Sequence, residues 1–155
     1  LLSRGLGDVY KRQIFTKGAF IKEIPYDPNY YFYGEELSLA MRAFTNGYSF
    51  FHIPDVPLFH LYTDTSDIPR KLHWDPEDDQ KRAVKWTELD KKSLNRLDDL
   101  FADKVEEPLC LGKERSLEDY ALISGIDLKN NLVLDIEKAT ESSFLESLDW
   151  KINPL

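Results

Sequence analysis

The chain has 155 residues, of which 42% are hydrophobic and 13% aromatic. This composition suits one packed domain, or a large part of one, and excludes wholesale disorder. The formal net charge of −8 argues against a general nucleic-acid binder and against a protein that binds anionic membranes. No apolar run approaches the roughly 20 residues that cross a bilayer, so the sequence predicts no membrane segment. The single cysteine, Cys110, cannot form an internal disulfide and provides no zinc motif.

The first 13 residues, LLSRGLGDVYKRQ, show no clear hydrophobic periodicity and lack the long apolar core of a secretion signal. They look like a translated sequencing-adapter tail of the kind found at the ends of truncated, metagenomic reading frames. We therefore expect residues 1–13 to be non-native and to take no part in the fold. On this interpretation the natural protein continues upstream, and the chain is a fragment that holds its carboxyl part.

The next predicted elements are a short segment and a helix. Residues 14–24 are predicted to form a loop or a short strand, with prolines keeping the following stretch extended. Residues 35–46 are predicted to form a helix that ends at Gly47. The helix is indicated by apolar side chains at spacings of three and four residues, namely Leu37, Ala40, Met41 and Phe44.

Two short strands are predicted after this helix, at 49–53 and 58–62, because both are rich in aromatic residues and prolines lie between them. A longer helix is then predicted from a cap at Asp75, through Pro76 at the first helical position, to about Phe101. Its apolar side is formed by Trp86, Leu89, Leu97 and Leu100.

The last predicted elements are short. The sequence SLED, from Ser116 to Asp119, is typical of a capping box at the start of a helix, and Gly125 is expected to stop that helix. A strand is predicted at 132–136, and an amphipathic segment at 141–149.

The glycine-acidic sequence Gly34-Glu35-Glu36 is the first candidate site. Acidic residues are favoured at the positive end of a helix dipole, so this sequence, taken alone, is most simply explained as an ordinary helix start. The functional interpretation requires a carboxylate on a rigid element, aimed into a pocket where it can bind sugar hydroxyls or an acceptor proton.

His60, in the second predicted strand, is the second candidate. A lone histidine in an apolar strand is most often a buried, hydrogen-bonded residue. It follows Glu35 after one helix and one strand, so both can approach the same edge of a sheet. A neutral imidazole is also a competent Mn²⁺ ligand beside carboxylates and phosphate oxygens.

A cluster of aromatic residues precedes the helix at 35–46. It can form a wall for a sugar ring or part of the core, because aromatic side chains contribute large burial energies in either place. Its members are Tyr26, Tyr30, Tyr31, Phe32 and Tyr33.

Several sequence blocks resemble the N-acetylglucosaminyltransferase family typified by the cytosolic enzyme that glycosylates a hydroxyproline of Skp1. They are FIKEIPYDP, GEELSLAMR, a T-x-G-Y turn, P-x-V-P-L-F-H-L-Y and LGKERSLEDYALISGIDL. The resemblance extends from about Phe15 to Leu128. A more distant resemblance is to the polypeptide N-acetylgalactosaminyltransferases, whose helix, turn, proline and late histidine fall in register with Gly34, Glu35, Arg42, Gly47, Pro54 and His60.

These resemblances imply the carboxyl-terminal half of a GT-A fold, an α/β nucleotide-sugar transferase fold with a mixed sheet. Residues 14–75 would belong to the catalytic domain and residues 76–155 to a helical carboxyl-terminal region packed on it. The implied reaction is metal-dependent transfer of a sugar, expected to be N-acetylglucosamine with retention, from a UDP-sugar donor to a hydroxyl acceptor on a protein or glycan. The implied location is cytoplasmic.

The resemblances also assign roles to individual residues. Glu35, with Glu36 beside it, would hold the donor sugar and the acceptor in attack geometry. Tyr33 and Gly34 would contact the donor, and His60 would bind Mn²⁺ together with an upstream Asp-x-Asp motif. No suitable Asp-x-Asp motif precedes Pro25, so weak or absent transferase activity is expected for this chain alone.

Three alternatives remain open from the sequence. A different hexose donor is one, because donor choice depends partly on residues outside the chain. A non-catalytic carbohydrate-binding or interaction module is another. In the third, residues 76–155 form a helical interaction surface.

Overall fold

The computed structural model describes residue 14, residues 16–50, residue 72 and residues 74–140. Within these residues the order of elements is α1 (Phe20–Glu23), α2 (Glu35–Thr45), α3 (Pro76–Asp79), α4 (Trp86–Phe101), α5 (Leu117–Ser124), β1 (Ile126–Asp127), β2 (Leu132–Val133) and α6 (Ile136–Thr140). Strands β1 and β2 form an antiparallel hairpin, with Ile126 opposite Val133. The mixed sheet of a GT-A fold therefore stays a prediction, since it would draw on residues outside this description.

Helix α2 is the centre of the described structure. Its predicted apolar face is confirmed, because Ala40, Met41 and Phe44 are buried and Leu37 packs against them. The helix ends at Thr45, and Gly47 follows it with φ of 88°, the left-handed conformation that terminates helices. The local sequence was therefore sufficient to predict this helix and its end.

The main core is built by packing helices α4 and α5 and the hairpin strand β1 against α2. Leu100 and Phe101 of α4 and Tyr120 of α5 are buried with the apolar face of α2. The rings of Phe44 and Tyr120 meet edge to face at 5.6 Å, a preferred arrangement of aromatic pairs. Contacts with α4 and α5 thus fix the position of α2, and the candidate carboxylates lie at its amino end.

The loop before α5 is fastened to the carboxyl end of α2. Gly112 donates its N–H to Thr45 Oγ1 at 2.7 Å, and Glu114 donates its N–H to the Thr45 carbonyl at 2.9 Å. A Cβ atom on Gly112 would lie 2.4 Å from that carbonyl oxygen, so only glycine allows this approach. Arg115 donates from Nη1 to the Tyr48 carbonyl at 2.9 Å. Gly112 and Arg115 are therefore explained by structure, because both hold the carboxyl end of α2.

The prediction of one long helix from Pro76 to Phe101 is wrong. The structure has a short helix, α3, then a turn, and then α4 from Trp86. The Lys85 ammonium donates to three carbonyls of the turn, those of Asp79, Gln80 and Arg82, at 2.8 to 3.0 Å. Asp79 accepts the backbone N–H of Trp86 at 2.9 Å. These bonds satisfy backbone groups that a continuous helix would use within itself, which is why the chain turns here.

Helix α5 begins as predicted. Ser116 Oγ accepts the Asp119 N–H at 3.0 Å, and Asp119 Oδ2 accepts the Ser116 N–H at 2.7 Å, which together form a complete capping box. The helix ends before Gly125, whose φ is 68°. Both predicted bounds of this helix are confirmed.

Two shorter predictions need correction. Residues 14–24 contain the helical turn α1 rather than a strand, because Phe20 and Ile24, four residues apart, bury one helical face against Ala43. The strand predicted at 132–136 is limited to the paired residues Leu132–Val133, and Ile136 already begins α6.

Other predictions lie wholly or mostly outside the described residues: the tail at 1–13, the strand at 58–62, most of the strand at 49–53, and the segment at 141–149. Ser49 and Phe50, which are described, are not in a strand. Among the described residues, no helix is long and apolar enough to cross a membrane.

Candidate functional site

The candidate carboxylates lie at the amino end of α2. Gly34 precedes the helix with φ of 83°, and a Cβ atom there would lie 3.2 Å from the ring of Tyr30. Glycine is favoured at this position for both reasons, since other residues rarely adopt this φ and the ring leaves little space. Glu35 and Glu36 are the first two residues of the helix and are partly buried. The glycine-acidic sequence therefore sets a carboxylate pair on a rigid helix start.

Glu35 is held by a tyrosine that sequence reasoning had placed only in the aromatic cluster. The Tyr26 hydroxyl donates a hydrogen bond to Glu35 Oε2. Burial of the phenol, together with this bond to a carboxylate, raises the pKa of Tyr26 above its ordinary value, so the hydroxyl keeps its proton and stays a donor. An ionised carboxylate has about four lone-pair positions. Glu35 can therefore accept further hydrogen bonds while Tyr26 fixes its orientation.

Asp27, next to Tyr26, anchors this segment to α4. Its carboxylate accepts the backbone N–H of Asn29 at 2.9 Å and Asn29 Nδ2 at 2.7 Å. Its other oxygen pairs with Arg96 Nε at 2.9 Å, and the Asp27 side chain is almost fully buried. Burial alone would raise the pKa of Asp27, but the hydrogen bonds from Asn29 and Arg96 outweigh it and lower the pKa below 3.8. The carboxylate is therefore ionised in the folded protein and is a structural anchor.

The Asp27 anchor predicts a pH-dependent loss of stability. Because its pKa is lower in the folded than in the unfolded chain, its contribution is present above about pH 4 and is lost as the pH falls through the folded pKa. We expect Asp27→Asn to lower the free energy of unfolding by about 2 kcal/mol at neutral pH, and this difference to shrink below pH 4. Urea denaturation across this pH range measures it.

The matched control for this prediction is Asp98→Asn, at an exposed position of the same helix that carries Arg96. We expect it to stay within about 0.5 kcal/mol of wild type at every pH. An effect of Asp27→Asn that is equally large at neutral and at acid pH contradicts the role given to the Asp27 carboxylate.

Arg42 lies under the site and is 1% exposed. Its Nη1 donates to the Pro25 carbonyl at 2.7 Å and its Nη2 to the Pro108 carbonyl at 2.8 Å. Burial lowers the pKa of its guanidinium. Pro25 immediately precedes Tyr26, so Arg42 fixes the segment that holds Glu35. The space enclosed by Arg42, Glu35 and their neighbours is too small for a water molecule. Arg42 is therefore a structural residue, and we call it a clamp because it joins the Pro25 and Pro108 carbonyls.

An aromatic cleft of about 190 Å³ lies next to this region. We use the name aromatic cleft for the site lined by Tyr31, Phe32, Tyr33, Trp74, Trp86 and Asp90. The predicted aromatic cluster is thus divided between two places. Three of its members line the cleft, whereas Tyr26 bonds to Glu35 and Tyr30 packs against Gly34.

A polar side chain of α4 holds the loop that forms one side of the aromatic cleft. Ser93 Oγ accepts the Tyr31 N–H and donates to the Tyr31 carbonyl at 3.1 Å. The Tyr33 N–H donates to the same carbonyl at 2.7 Å, which closes a three-residue turn around Phe32. Phe32 has φ of 58°, which is rare for a bulky residue. This conformation makes the turn a candidate part of a binding site, because strained backbone conformations cluster at functional sites.

Asp90 and Ser93 were not selected from the sequence, although a signal for them exists. Trp86, Asp90, Ser93, Leu97 and Leu100 follow one another at spacings of four and three residues, the period of one helix face. Two polar residues within an otherwise apolar stripe indicate inward-facing groups with a specific task. The apolar members alone are sufficient to predict the helix, and they do not reveal the two polar positions.

The predicted metal ligand His60 lies outside the described residues. Within the described part of the chain, no group of three or more histidine, cysteine, aspartate or glutamate side chains could hold a metal ion. These residues therefore do not form an Mn²⁺ site by themselves.

Comparison with known families decides the class of protein. The family model described as Glycosyltransferase (GlcNAc) matches residues 11–123, well over half of the chain. The chain belongs to the GlcNAc glycosyltransferase family. The part matched to this glycosyltransferase family contains Glu35, the aromatic cleft and nearly all of α5. No curated protein and no solved structure matches the chain.

Proposed function

We propose that the chain is the carboxyl-terminal part of a GT-A enzyme that transfers N-acetylglucosamine from UDP-N-acetylglucosamine to a hydroxyl group of a protein or glycan in the cytoplasm, with retention of configuration. The observation that supports this proposal best is Glu35. Glu35 lies within the part matched to the family and is the first residue of a rigid helix, and the Tyr26 hydroxyl fixes its carboxylate.

Glu35 would act by binding and orientation. Its free lone pairs would accept hydrogen bonds from the hydroxyl groups of the donor sugar or from the acceptor hydroxyl. Holding the two reactants at attack distance contributes substantially to rate, because it removes the entropy cost of bringing them together in the transition state. Glu36 would support this carboxylate, and Tyr33 and Gly34 would contact the donor.

A divalent cation, expected to be Mn²⁺, is part of the proposal, with His60 as one ligand and the remaining ligands provided by other parts of the enzyme and the diphosphate. When bound, such an ion stabilises charge on a departing diphosphate. In this proposal the described residues would contact the sugar, and His60 and other parts of the enzyme would bind the metal.

The function is tested with the product of the complete gene that encodes this chain. We expect UDP release from UDP-N-acetylglucosamine that depends on a hydroxyl acceptor, is lost with EDTA and returns with Mn²⁺. UDP-glucose and UDP-N-acetylgalactosamine compare the donors, and the 155-residue chain alone is expected to show weak or no turnover. Absence of turnover with all three donors and Mn²⁺ across a panel of hydroxyproline peptides and glycans contradicts the proposal.

The aromatic cleft supports one rival function, a non-catalytic carbohydrate-binding module. Aromatic rings with a nearby carboxylate can hold a sugar without any metal or transfer. Binding of sugar by the complete gene product, unaffected by EDTA and without UDP release from any donor, would favour the module over the enzyme.

A further inference from the structure

Asp90, which lines the aromatic cleft, has a buried carboxylate oxygen with no hydrogen-bond partner among the described residues. This atom is Asp90 Oδ1. Buried polar atoms are nearly always hydrogen-bonded, and leaving one without a partner costs free energy. An unpartnered carboxylate oxygen on a residue that lines a cleft therefore points to a carboxylate available to a hydrogen-bond donor of a ligand.

The aromatic cleft is also arranged in advance of binding. Ser93 fixes Tyr31 by two hydrogen bonds, and the turn around Phe32 is held in a conformation that a bulky residue rarely adopts. The Phe32 ring contacts the Trp74 ring edge to face at 5.0 Å and the Tyr33 ring at 5.1 Å. Rings fixed in this way lose little freedom when a ligand binds, which favours affinity.

The size and charge of the cleft restrict its ligand. Its volume of about 190 Å³ is below the roughly 300 to 1,000 Å³ of sites for drug-sized molecules, so it suits a single ring. The Asp90 carboxylate disfavours phosphate groups, since like charges repel in a site of low dielectric constant. Its oxygen requires a hydrogen-bond donor, and the rings require an apolar face. A pyranose ring provides both, with C–H groups on its faces and hydroxyl groups at its edge.

We propose that the aromatic cleft binds one neutral pyranose ring, with a sugar hydroxyl donating to the Asp90 carboxylate and the ring lying against the aromatic side chains. This inference rests on the proposed function for its substrate class, and it assigns sugar recognition to a place outside the Glu35 carboxylate. The ring can come from a free or glycan-linked acceptor sugar or from the sugar of the donor nucleotide. Both sources share the same chemistry.

The test is a binding measurement on the 155-residue chain that requires no turnover. The indole N–H signals of Trp74 and Trp86 are followed by ¹⁵N NMR during titration with N-acetylglucosamine, its methyl glycoside, UDP-N-acetylglucosamine or UDP. We expect saturable shifts of both indole signals with the free sugar or the glycoside if the source is an acceptor. We expect them with UDP-N-acetylglucosamine and not with UDP if the source is the donor.

Substitutions tie the shifts to the cleft. Asp90→Asn keeps the shape of the side chain and removes its charge, so we expect affinity to fall by about tenfold. In Trp86→Ala the Trp74 indole is the signal still observed, and we expect it to show no saturable shift with sugar. Trp86→Phe keeps an aromatic ring at the start of α4 and should restore part of the affinity. The control is Asp98→Asn, an exposed carboxylate on the same helix, which should bind as wild type does.

Three results overturn the inference: absence of saturable shifts with every sugar, affinity unchanged by Asp90→Asn, or shifts produced instead by tetramethylammonium, which would make the cleft a cation cage. These results do not bear on transfer. Failure of the proposed function would appear as absence of UDP release by the complete gene product, and sugar binding to the cleft could still be measured in that case.

Discussion

Replacing Glu35 with glutamine is expected to reduce sugar transfer by the complete gene product by at least about 100-fold. Glutamine keeps the shape of the side chain and can still accept the Tyr26 hydroxyl, so the fold should be preserved. It removes the charge, and charge-assisted hydrogen bonds are roughly twice as strong as neutral ones. A reactant held less firmly spends less time at attack distance. The initial rate of acceptor-dependent UDP release measures the effect.

The control for Glu35 is Glu118→Gln. Glu118 also lies in the first turn of a helix, α5, but is exposed. Removing a negative charge from a helix start should by itself lower the free energy of unfolding by about 0.3 to 1 kcal/mol, and it should do so in both variants. If Glu35→Gln changes stability as Glu118→Gln does and leaves transfer intact, the carboxylate is an ordinary helix start and the catalytic role is wrong. Glu36→Gln shows which carboxylate of the pair has the larger effect.

Replacing Arg42 with methionine is expected to lower the free energy of unfolding by about 3 kcal/mol or more. Methionine fills much of the same space but donates no hydrogen bond. The carbonyls of Pro25 and Pro108 would lose their partners in the interior, at roughly 1 to 3 kcal/mol for each unsatisfied group. The midpoint of urea denaturation of the 155-residue chain, at an unchanged m-value, measures the loss.

Two further variants sharpen the Arg42 prediction. Arg42→Lys should also destabilise the fold, because an ammonium lacks the planar fork with which the guanidinium reaches two carbonyls. Arg82→Met, at an exposed position, should stay within about 0.5 kcal/mol of wild type. An Arg42→Met variant as stable as Arg82→Met contradicts the clamp. Because Pro25 precedes Tyr26, loss of the clamp should also lower transfer.

Helices α2 and α5 could be predicted because their signals are local. The apolar face of α2 recurs within each turn, and the capping box of α5 joins Ser116 to a residue three positions away. The break between α3 and α4 was missed because Lys85 satisfies three turn carbonyls, and no periodicity shows where a long side chain will reach. The turn of α1 was missed because four residues are too few for a periodic pattern.

The candidate site shows the same division. Glu35 could be selected from its motif and register, and the family match includes it. Its partner Tyr26 could not be chosen from a cluster of several tyrosines, because only the packed structure brings one hydroxyl to the carboxylate. Asp90 was hidden within an apolar stripe, and its importance depends on the rings that surround it.

The sequence by itself determined the family, the bounds of α2 and α5, and the helix start that carries Glu35, because each depends on a motif or on bonds within about one helical turn. Only the tertiary structure decided which groups meet across the chain. Ser93 bonds to Tyr31 over 62 positions, and Arg96 pairs with Asp27 over 69. Such pairs form only when packed helices bring distant segments within about 3 Å, a distance that sequence separation does not encode.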